Sequence, residues 1–195
     1  MNLDKWNRLL KTQDFPNVTT DFWLPWSAWL NEFIPDKSKN ILIIGCSEEE
    51  RILTRHAGYV NITCIDFWAG KGVIQMDMHD LKFPKESFDY VLAKSVLEHS
   101  HSPFMLMLEA RSVLKIGGLF ILTVEWDMEK NYSSTHPFLT SNNDLENYRK
   151  IFGFTLVTEH NWGAGGLQTW RKESEVPDDK YHFRQFVIDW ENDFH

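Results

Sequence analysis

The sequence predicts an α/β fold in which a mainly parallel sheet carries helices on both faces. Strand-like and helix-like segments alternate through the middle of the chain, which is typical of a doubly wound sheet. The strand-like segments are nearly continuously apolar, as parallel strands covered on both faces are. The five strands predicted in this region are 41–45, 62–66, 73–76, 89–93 and 118–124.

The stretch ILIIGCSEEER, residues 41–51, predicts a buried strand that turns at Gly45 into a helix. Ser47 followed by Glu50 three residues later forms a capping-box pattern, so we expect a helix over 48–57. The acidic residues of its first turn favour the positive end of the helix dipole. The same acids would repel the pyrophosphate of a dinucleotide, whereas S-adenosylmethionine carries no phosphate and is net cationic.

The later elements also have start and stop signals. Ser102 and Pro103 begin a predicted helix over 102–115, and Gly117-Gly118 is expected to follow its end. A further helix is predicted over 144–152. Residues 154–159 and 167–171 are predicted to close the sheet as an antiparallel strand pair, because the link between them is short and turn-rich.

Composition and charge narrow the class of protein. The 195 residues, 43% hydrophobic and 25% charged, suit one globular domain. No membrane span or signal peptide is predicted, and Cys46 and Cys64 are expected to be buried, reduced thiols, so we expect a cytoplasmic protein without a membrane partner. The net charge of −8 argues against nucleic acid as a partner.

Asp66 is the first candidate site residue, since it ends the second predicted strand 66 − 45 = 21 residues after Gly45. Nucleoside-binding α/β folds place a carboxylate for the ribose hydroxyls at this position. A strand-end Asp can equally serve only to stabilise a turn. The residue alone leaves both interpretations open.

Two longer stretches, MDMHDLKFPKESFDYVLAKSVLEHS (76–100) and ARSVLKIGGLFILTV (110–124), carry a family resemblance. With ILIIG they resemble the class I S-adenosylmethionine-dependent methyltransferases, in particular the small-molecule branch. The resemblance implies a Rossmann-like, seven-stranded, mostly parallel sheet with its last strand antiparallel. Two departures stand out, because Ser47 and Glu49 replace the second and third glycines of the family's first motif.

The resemblance also implies S-adenosyl-L-methionine as the cofactor and a set of residues that would contact it. They are Gly45, Cys46 and Ser47 at the methionine moiety, Asp66 at the ribose, Phe67, Asp77 and Met78 at the adenine, and Ala93, Lys94 and Ser95 at the methionine end.

Residues that follow the fourth and fifth strands are the candidates for acceptor binding and proton removal, because acceptors meet the cofactor at that edge of the sheet. His136, Glu125 and His99 are the catalytic candidates. His99 and His101 lie two residues apart and have no evident third ligand, so no metal is predicted.

The leading hypothesis is a methyltransferase acting on a small-molecule or glycan-like acceptor. The alternative is a catalytically inactive methyltransferase-like binding or scaffolding protein, which the replaced glycines favour and the retained Asp66 and Asp77 oppose. An NAD-dependent oxidoreductase is a distant third. We expect one domain over 1–195, with an aromatic N-terminal cover (1–36), a cofactor-binding half (37–127) and a substrate-side half with the tail (128–195); a homodimer is compatible with the sequence.

Overall fold

The computed structural model describes residues 30–125, 142–161 and 165–174, and within them it contains a seven-stranded sheet. The strands are β1 (Ile41–Ile44), β2 (Ile62–Asp66), β3 (Ile74–Gln75), β4 (Phe88–Lys94), β5 (Leu114–Glu125), β6 (Phe154–Asn161) and β7 (Gly165–Lys172). The helices that lie wholly within these ranges are α1 (Glu48–His56), α2 (Pro103–Val113) and α3 (Asn142–Ile151), with a short 3-10 helix at Leu97–His99. Residues 1–29 of the predicted N-terminal cover and residues 175–195 of the tail lie outside the described residues. His136 also lies outside them.

The strand order is β3-β2-β1-β4-β5-β7-β6. Strands β1 to β5 pair in parallel, and β7 pairs antiparallel with both β5 and β6. The predicted mostly parallel sheet with an antiparallel final strand is therefore confirmed. Because the order reverses direction at β1, the carboxyl ends of β1, β2 and β4 surround the crevice in which open α/β sheets bind ligands.

The apolar strand β1 explains why helices cover both faces of the sheet. All four of its residues are at most 1% exposed. Alternate side chains of a strand point to opposite faces, so Leu42 and Ile44 join the core beneath α2, while Ile41 and Ile43 join a second core with Leu53 of α1. The two free cysteines, Cys46 and Cys64, are buried in the second core, as predicted.

The junction of α2 and β5 differs from the prediction. The helix ends at Val113 and β5 begins at Leu114, so Gly117-Gly118 lies inside the strand and does not follow the helix end. Leu114 pairs with Phe88, and the register then shifts so that Leu119 pairs with Tyr90. A Cβ at position 118 would lie 2.8 Å from the Asp89 carbonyl oxygen. Glycine is therefore needed where the register shift brings the backbone of β5 close to β4.

A buried cation joins the end of α2 to the last strand. Lys172 of β7 is 2% exposed, and its Nζ donates to the carbonyls of Arg111 and Leu114 and to Glu86 Oε1. Arg111, also buried, donates from Nε to the Phe152 carbonyl at 2.7 Å. These contacts satisfy carbonyls that a helix end leaves without intrahelical partners.

The ranges that the structure describes contain no helix that is long and apolar enough to cross a membrane.

Candidate functional site

A cavity of about 410 Å³ opens at the carboxyl ends of β1, β2 and β4. This volume lies within the range of small-molecule and cofactor sites. Its wall is formed by Ile44, Gly45, Ile65, Asp66, Phe67, Trp68, Met76, Asp77, Met78, His79, Ser95, Val96, His99 and His101. The wall contains no Lys or Arg from the described part of the chain, so it offers acceptors, aromatic rings and three histidines but no permanently charged cation for a phosphate.

Gly45 forms the turn that takes the chain from β1 into the cavity wall. Its φ of +69° is in the left-handed region, which side chains disfavour. A Cβ at this position would lie 2.4 Å from Val96 Cγ2, so a side chain would also collide with the neighbouring wall residue. The first glycine of the sequence motif is therefore required by both backbone conformation and space.

The acidic run after Gly45 starts helix α1. Ser47 Oγ accepts from the backbone N–H of Glu50 at 3.1 Å, and Glu50 Oε2 accepts from the backbone N–H of Ser47 at 3.0 Å, so both halves of the predicted capping box form. Glu50 Oε1 also accepts from Lys94 Nζ at 2.6 Å, and both side chains are largely buried. None of the three glutamates lines the cavity. The three glutamates therefore form the first turn of α1, and Glu50 also joins this helix to β4.

At the end of β2, the loop presents a carboxylate and two exposed aromatic rings. Asp66 Oδ1 accepts from the Trp68 backbone N–H at 2.8 Å, which fixes the turn after the strand. Phe67 and Trp68 are 66% and 74% exposed and pack edge to face, with ring centroids 5.2 Å apart. Large aromatic side chains are seldom so exposed without a partner, and here both border the cavity.

In the segment that follows β3, Asp77 is held by His79. Asp77 Oδ1 accepts from the backbone N–H of His79 at 2.8 Å and from its ring Nδ1 at 2.7 Å. Partial burial raises the pKa of the Asp77 carboxyl, but the hydrogen bonds from His79 and the nearby His101 ring more than offset it, so the pKa lies below its ordinary value. Asp77 is therefore an ionised acceptor at neutral pH.

Ser95, directly after β4, has a strained backbone. Its φ of +46° is uncommon for a residue with a side chain. The Ser95 backbone N–H donates to both the carbonyl and the Oγ1 of Thr123 on β5, at 3.0 and 2.9 Å. Such conformations persist where the surroundings impose them, and they cluster at ligand sites.

The cavity brings together several of the residues predicted from sequence, and they come from the ends of four strands, β1 to β4. These are Gly45, Asp66, Phe67, Asp77, Met78, Ser95 and the catalytic candidate His99. Their roles stay predictions.

Four predicted cofactor contacts do not line the cavity: Cys46, Ser47, Ala93 and Lys94. Cys46 and Ala93 are buried in the two cores of the sheet, while Ser47 and Lys94 are engaged by Glu50. Of the other catalytic candidates, the backbone of Glu125 ends β5, and His136 falls outside the described residues.

Sequence reasoning did not assign Trp68, His79 or Val96 to the site, although all three line the cavity. Trp68 follows the predicted ribose-binding position by two residues, and His79 follows Asp77 by two residues. Strand-end loops turn back within two or three residues, so this spacing was a signal. The ranges described contain no group of three or more His, Cys, Asp or Glu side chains that could hold a metal ion.

The family comparison gives a match within residues 37–127, the predicted cofactor-binding half. Residues 42–122 match the family model described as "Methyltransferase domain". No curated protein matches the chain by sequence. The matched range contains every described residue of the cavity wall.

Solved structures share the fold. The 1,6-didemethyltoxoflavin-N1-methyltransferase of Burkholderia thailandensis, with bound 1,6-didemethyltoxoflavin and S-adenosylhomocysteine, is 15% identical with a TM-score of 0.64, covering 88% of this chain and 86% of its own. An S-adenosylmethionine-dependent methyltransferase of Mesorhizobium loti is 15% identical with a TM-score of 0.61, covering 77% and 99%. The cyclase SpnF is 13% identical with a TM-score of 0.58, covering 77% and 80%.

At these identities the structural likeness shows the fold, and the cyclase illustrates that one fold hosts more than one reaction. The sheet order and the family-model match agree with the motifs of the sequence. Residues 42–122 thus match the methyltransferase-domain family, and the described residues share the fold of the methyltransferases compared.

Proposed function

We propose that the chain binds S-adenosylmethionine in the cavity and transfers its methyl group to a small-molecule or glycan-like acceptor. The observation that carries the proposal is the placement of two carboxylates, Asp66 and Asp77, in one cavity beside the turn at Gly45. Asp66 would accept the ribose hydroxyls and Asp77 the amino group of the adenine. The structural neighbour that holds S-adenosylhomocysteine supports the same ligand class.

The charge of the cavity favours this cofactor over a dinucleotide. The wall residues described include two Asp side chains and no Lys or Arg. A pyrophosphate would meet no Lys or Arg among these residues, whereas the sulfonium and ammonium groups of S-adenosylmethionine carry positive charge. The exposed rings of Phe67 and Trp68 offer a surface on which an adenine can stack.

Methyl transfer at a sulfonium is an in-line displacement. The acceptor's lone pair forms the new bond to the methyl carbon, the carbon–sulfur bond breaks with its electrons to sulfur, and a hydroxyl or amine acceptor loses a proton to a base. The chain's contribution is alignment, exclusion of water and proton removal. His99 is the catalytic candidate whose place in the cavity wall supports that last role; His136 and Glu125 stay candidates from the sequence.

Calorimetric titration with S-adenosylhomocysteine tests the cofactor assignment. We expect binding of S-adenosylhomocysteine and none of NAD. The Asp66→Ala variant should lose most of the affinity, since both ribose hydroxyls lose a charged acceptor. Asp36→Ala, which removes an exposed carboxylate outside the cavity, is the matched control and should bind as the wild type does.

The acceptor step is tested separately with labelled S-adenosylmethionine and a panel of small-molecule and oligosaccharide acceptors. Transfer that is lost in His99→Ala with unchanged cofactor binding would support the catalytic assignment. Cofactor binding without transfer to any acceptor would favour the alternative of a non-catalytic binding module. Absence of S-adenosylhomocysteine binding would refute the proposal.

A further inference from the structure

Three side chains form a continuous series of hydrogen bonds that begins in the cavity wall and ends at a buried serine. His79 Nδ1 lies 2.7 Å from Asp77 Oδ1, and His79 Nε2 lies 2.7 Å from Ser100 Oγ. Ser100 Oγ in turn accepts from the backbone N–H of Ser102, the residue that caps α2, at 3.2 Å. This series of hydrogen bonds therefore links the Asp77 carboxylate in the cavity to the start of α2.

The direction of each hydrogen bond follows from the groups present. The ionised Asp77 can only accept, so His79 Nδ1 carries a proton. With a neutral imidazole, Nε2 accepts, and the hydroxyl of Ser100 donates to it while its oxygen accepts from Ser102. In this neutral form the two hydrogen bonds are consistent with one tautomer of His79, which carries its proton on Nδ1.

The two carboxylate oxygens of Asp77 differ in the hydrogen bonds that they accept. Oδ1 already accepts from the backbone and the ring of His79, whereas none of the described residues donates to Oδ2. The Asp77 side chain is 54% exposed and lines the cavity, so Oδ2 is the oxygen available to a ligand. His79 is only 8% exposed, and the ring of His101 packs on it with centroids 3.8 Å apart, which restricts its movement.

We propose that His79 is a specificity-determining positioning residue, which fixes the Asp77 carboxylate so that Oδ2 accepts from the exocyclic amino group of a 6-aminopurine. The inference rests on the proposed function, because it assumes an adenosyl ligand in this cavity. His79 acts through Asp77, so its removal should weaken the recognition of the amino group more than it weakens binding of the rest of the cofactor.

The order Asp–His–Ser also occurs in nucleophilic catalysis, where the serine hydroxyl must reach a substrate. Ser100 is fully buried and is not part of the cavity wall. This geometry suits a positioning role for the chain of hydrogen bonds and does not suit attack by Ser100.

The test compares two ligands by calorimetry: S-adenosylhomocysteine and its 6-deamino analogue, in which hydrogen replaces the amino group. A hydrogen bond to a charged acceptor corresponds to about ten- to hundredfold in affinity, so wild type should prefer the amino ligand by that factor. In His79→Phe, which keeps a ring and removes both nitrogens, the preference should fall to about threefold or less. His160→Phe, on the exposed edge strand β6, is the control and should keep the wild-type preference.

A double-mutant cycle separates positioning from general damage. Asp77→Ala should abolish the preference, and adding His79→Phe to it should change the preference no further, because the two residues act as a unit. Ser100→Ala offers a milder variant, and we expect it to lower the preference in the same direction even if His79→Phe does not fold.

The outcomes distinguish the inference from the proposed function. If S-adenosylhomocysteine binds but His79→Phe and Ser100→Ala weaken both ligands equally, the positioning role is refuted while cofactor binding stands. A wild type without preference would likewise refute the inference and leave cofactor binding intact. If neither ligand binds the wild type, both proposals fail.

Discussion

Replacing Glu50 by Gln tests whether the acidic run after Gly45 is structural. Glu50 receives two donors on different oxygens: the Ser47 backbone N–H on Oε2 and Lys94 Nζ on Oε1. The amide of Gln has one acceptor oxygen, so one of these two donors loses its partner. The change also leaves the largely buried Lys94 ammonium without an opposite charge on Glu50.

The magnitude follows from these two losses. A hydrogen bond between charged groups contributes about 1.5–3 kcal/mol, and a helix N-cap contributes about 1 kcal/mol. We therefore expect Glu50→Gln to lower the free energy of unfolding by roughly 2–4 kcal/mol. At about 2–4 °C per kcal/mol for a chain of this size, Tm should fall by roughly 5–15 °C.

Urea denaturation followed by tryptophan fluorescence and by circular dichroism measures the change, provided that the m-value stays constant. Glu49→Gln is the matched control, because it removes a charge from the same helix turn without breaking the capping box or the Lys94 pair. Its cost should be that of the helix dipole alone, about 0.3–1 kcal/mol. Equal losses in the two variants would show that the buried contacts of Glu50 do not stabilise the fold.

Three further changes test the remaining contacts. Ser47→Ala should cost about 1 kcal/mol in urea denaturation through the lost N-cap, and no loss would contradict the capping box. Lys172→Met should lower the free energy of unfolding by about 3–5 kcal/mol, because two buried carbonyls and the Glu86 carboxylate lose their donor. A loss smaller than that of Ser47→Ala would refute this role. Burial raises the pKa of Tyr59 to about 12, so the unfolded chain loses this proton first and stability should fall between about pH 10 and 12. Tyr59→Phe should flatten that part of the pH–stability curve, and an unchanged slope would contradict the assignment.

The parts of the fold that the sequence predicted depend on local signals. Ser47 and Glu50 are three residues apart, and their reciprocal bonds form wherever a helix starts there. The four apolar residues of β1 form a continuous apolar run in the sequence, and all four are buried. Periodicity and capping patterns of this kind need no knowledge of the tertiary structure, so the element order and the final antiparallel pair were predicted correctly.

The misplaced end of α2 has a long-range cause. Leu114 leaves the helix because it pairs with Phe88 of β4, and no pattern within 102–115 indicates this pairing. Propensity alone would continue the helix to the glycines, so tertiary pairing overrides it.

The same limit applies to the site. Lys94 was expected at the cofactor, but its ammonium bonds Glu50, 44 residues earlier in the chain. The link between His79 and Ser100 spans 21 residues and became visible only with the fold. Strand ends could be predicted to converge, whereas the choice of partners among the converged side chains depends on distances that spacing does not encode.

The buried ammonium of Lys172 joins the end of α2 to a strand that lies outside the family match. The family match ends at residue 122, yet the carbonyls at the end of α2 are satisfied by a side chain 50 residues beyond that point. A fragment cut after β5 would contain every described residue of the cavity wall. It would lack Lys172, whose ammonium group binds the carbonyls at the end of α2. If residues 37–127, the predicted cofactor-binding half, are joined to the second half of another protein, we therefore expect stability to require a lysine, or an equivalent donor, at the matching position of the new strand.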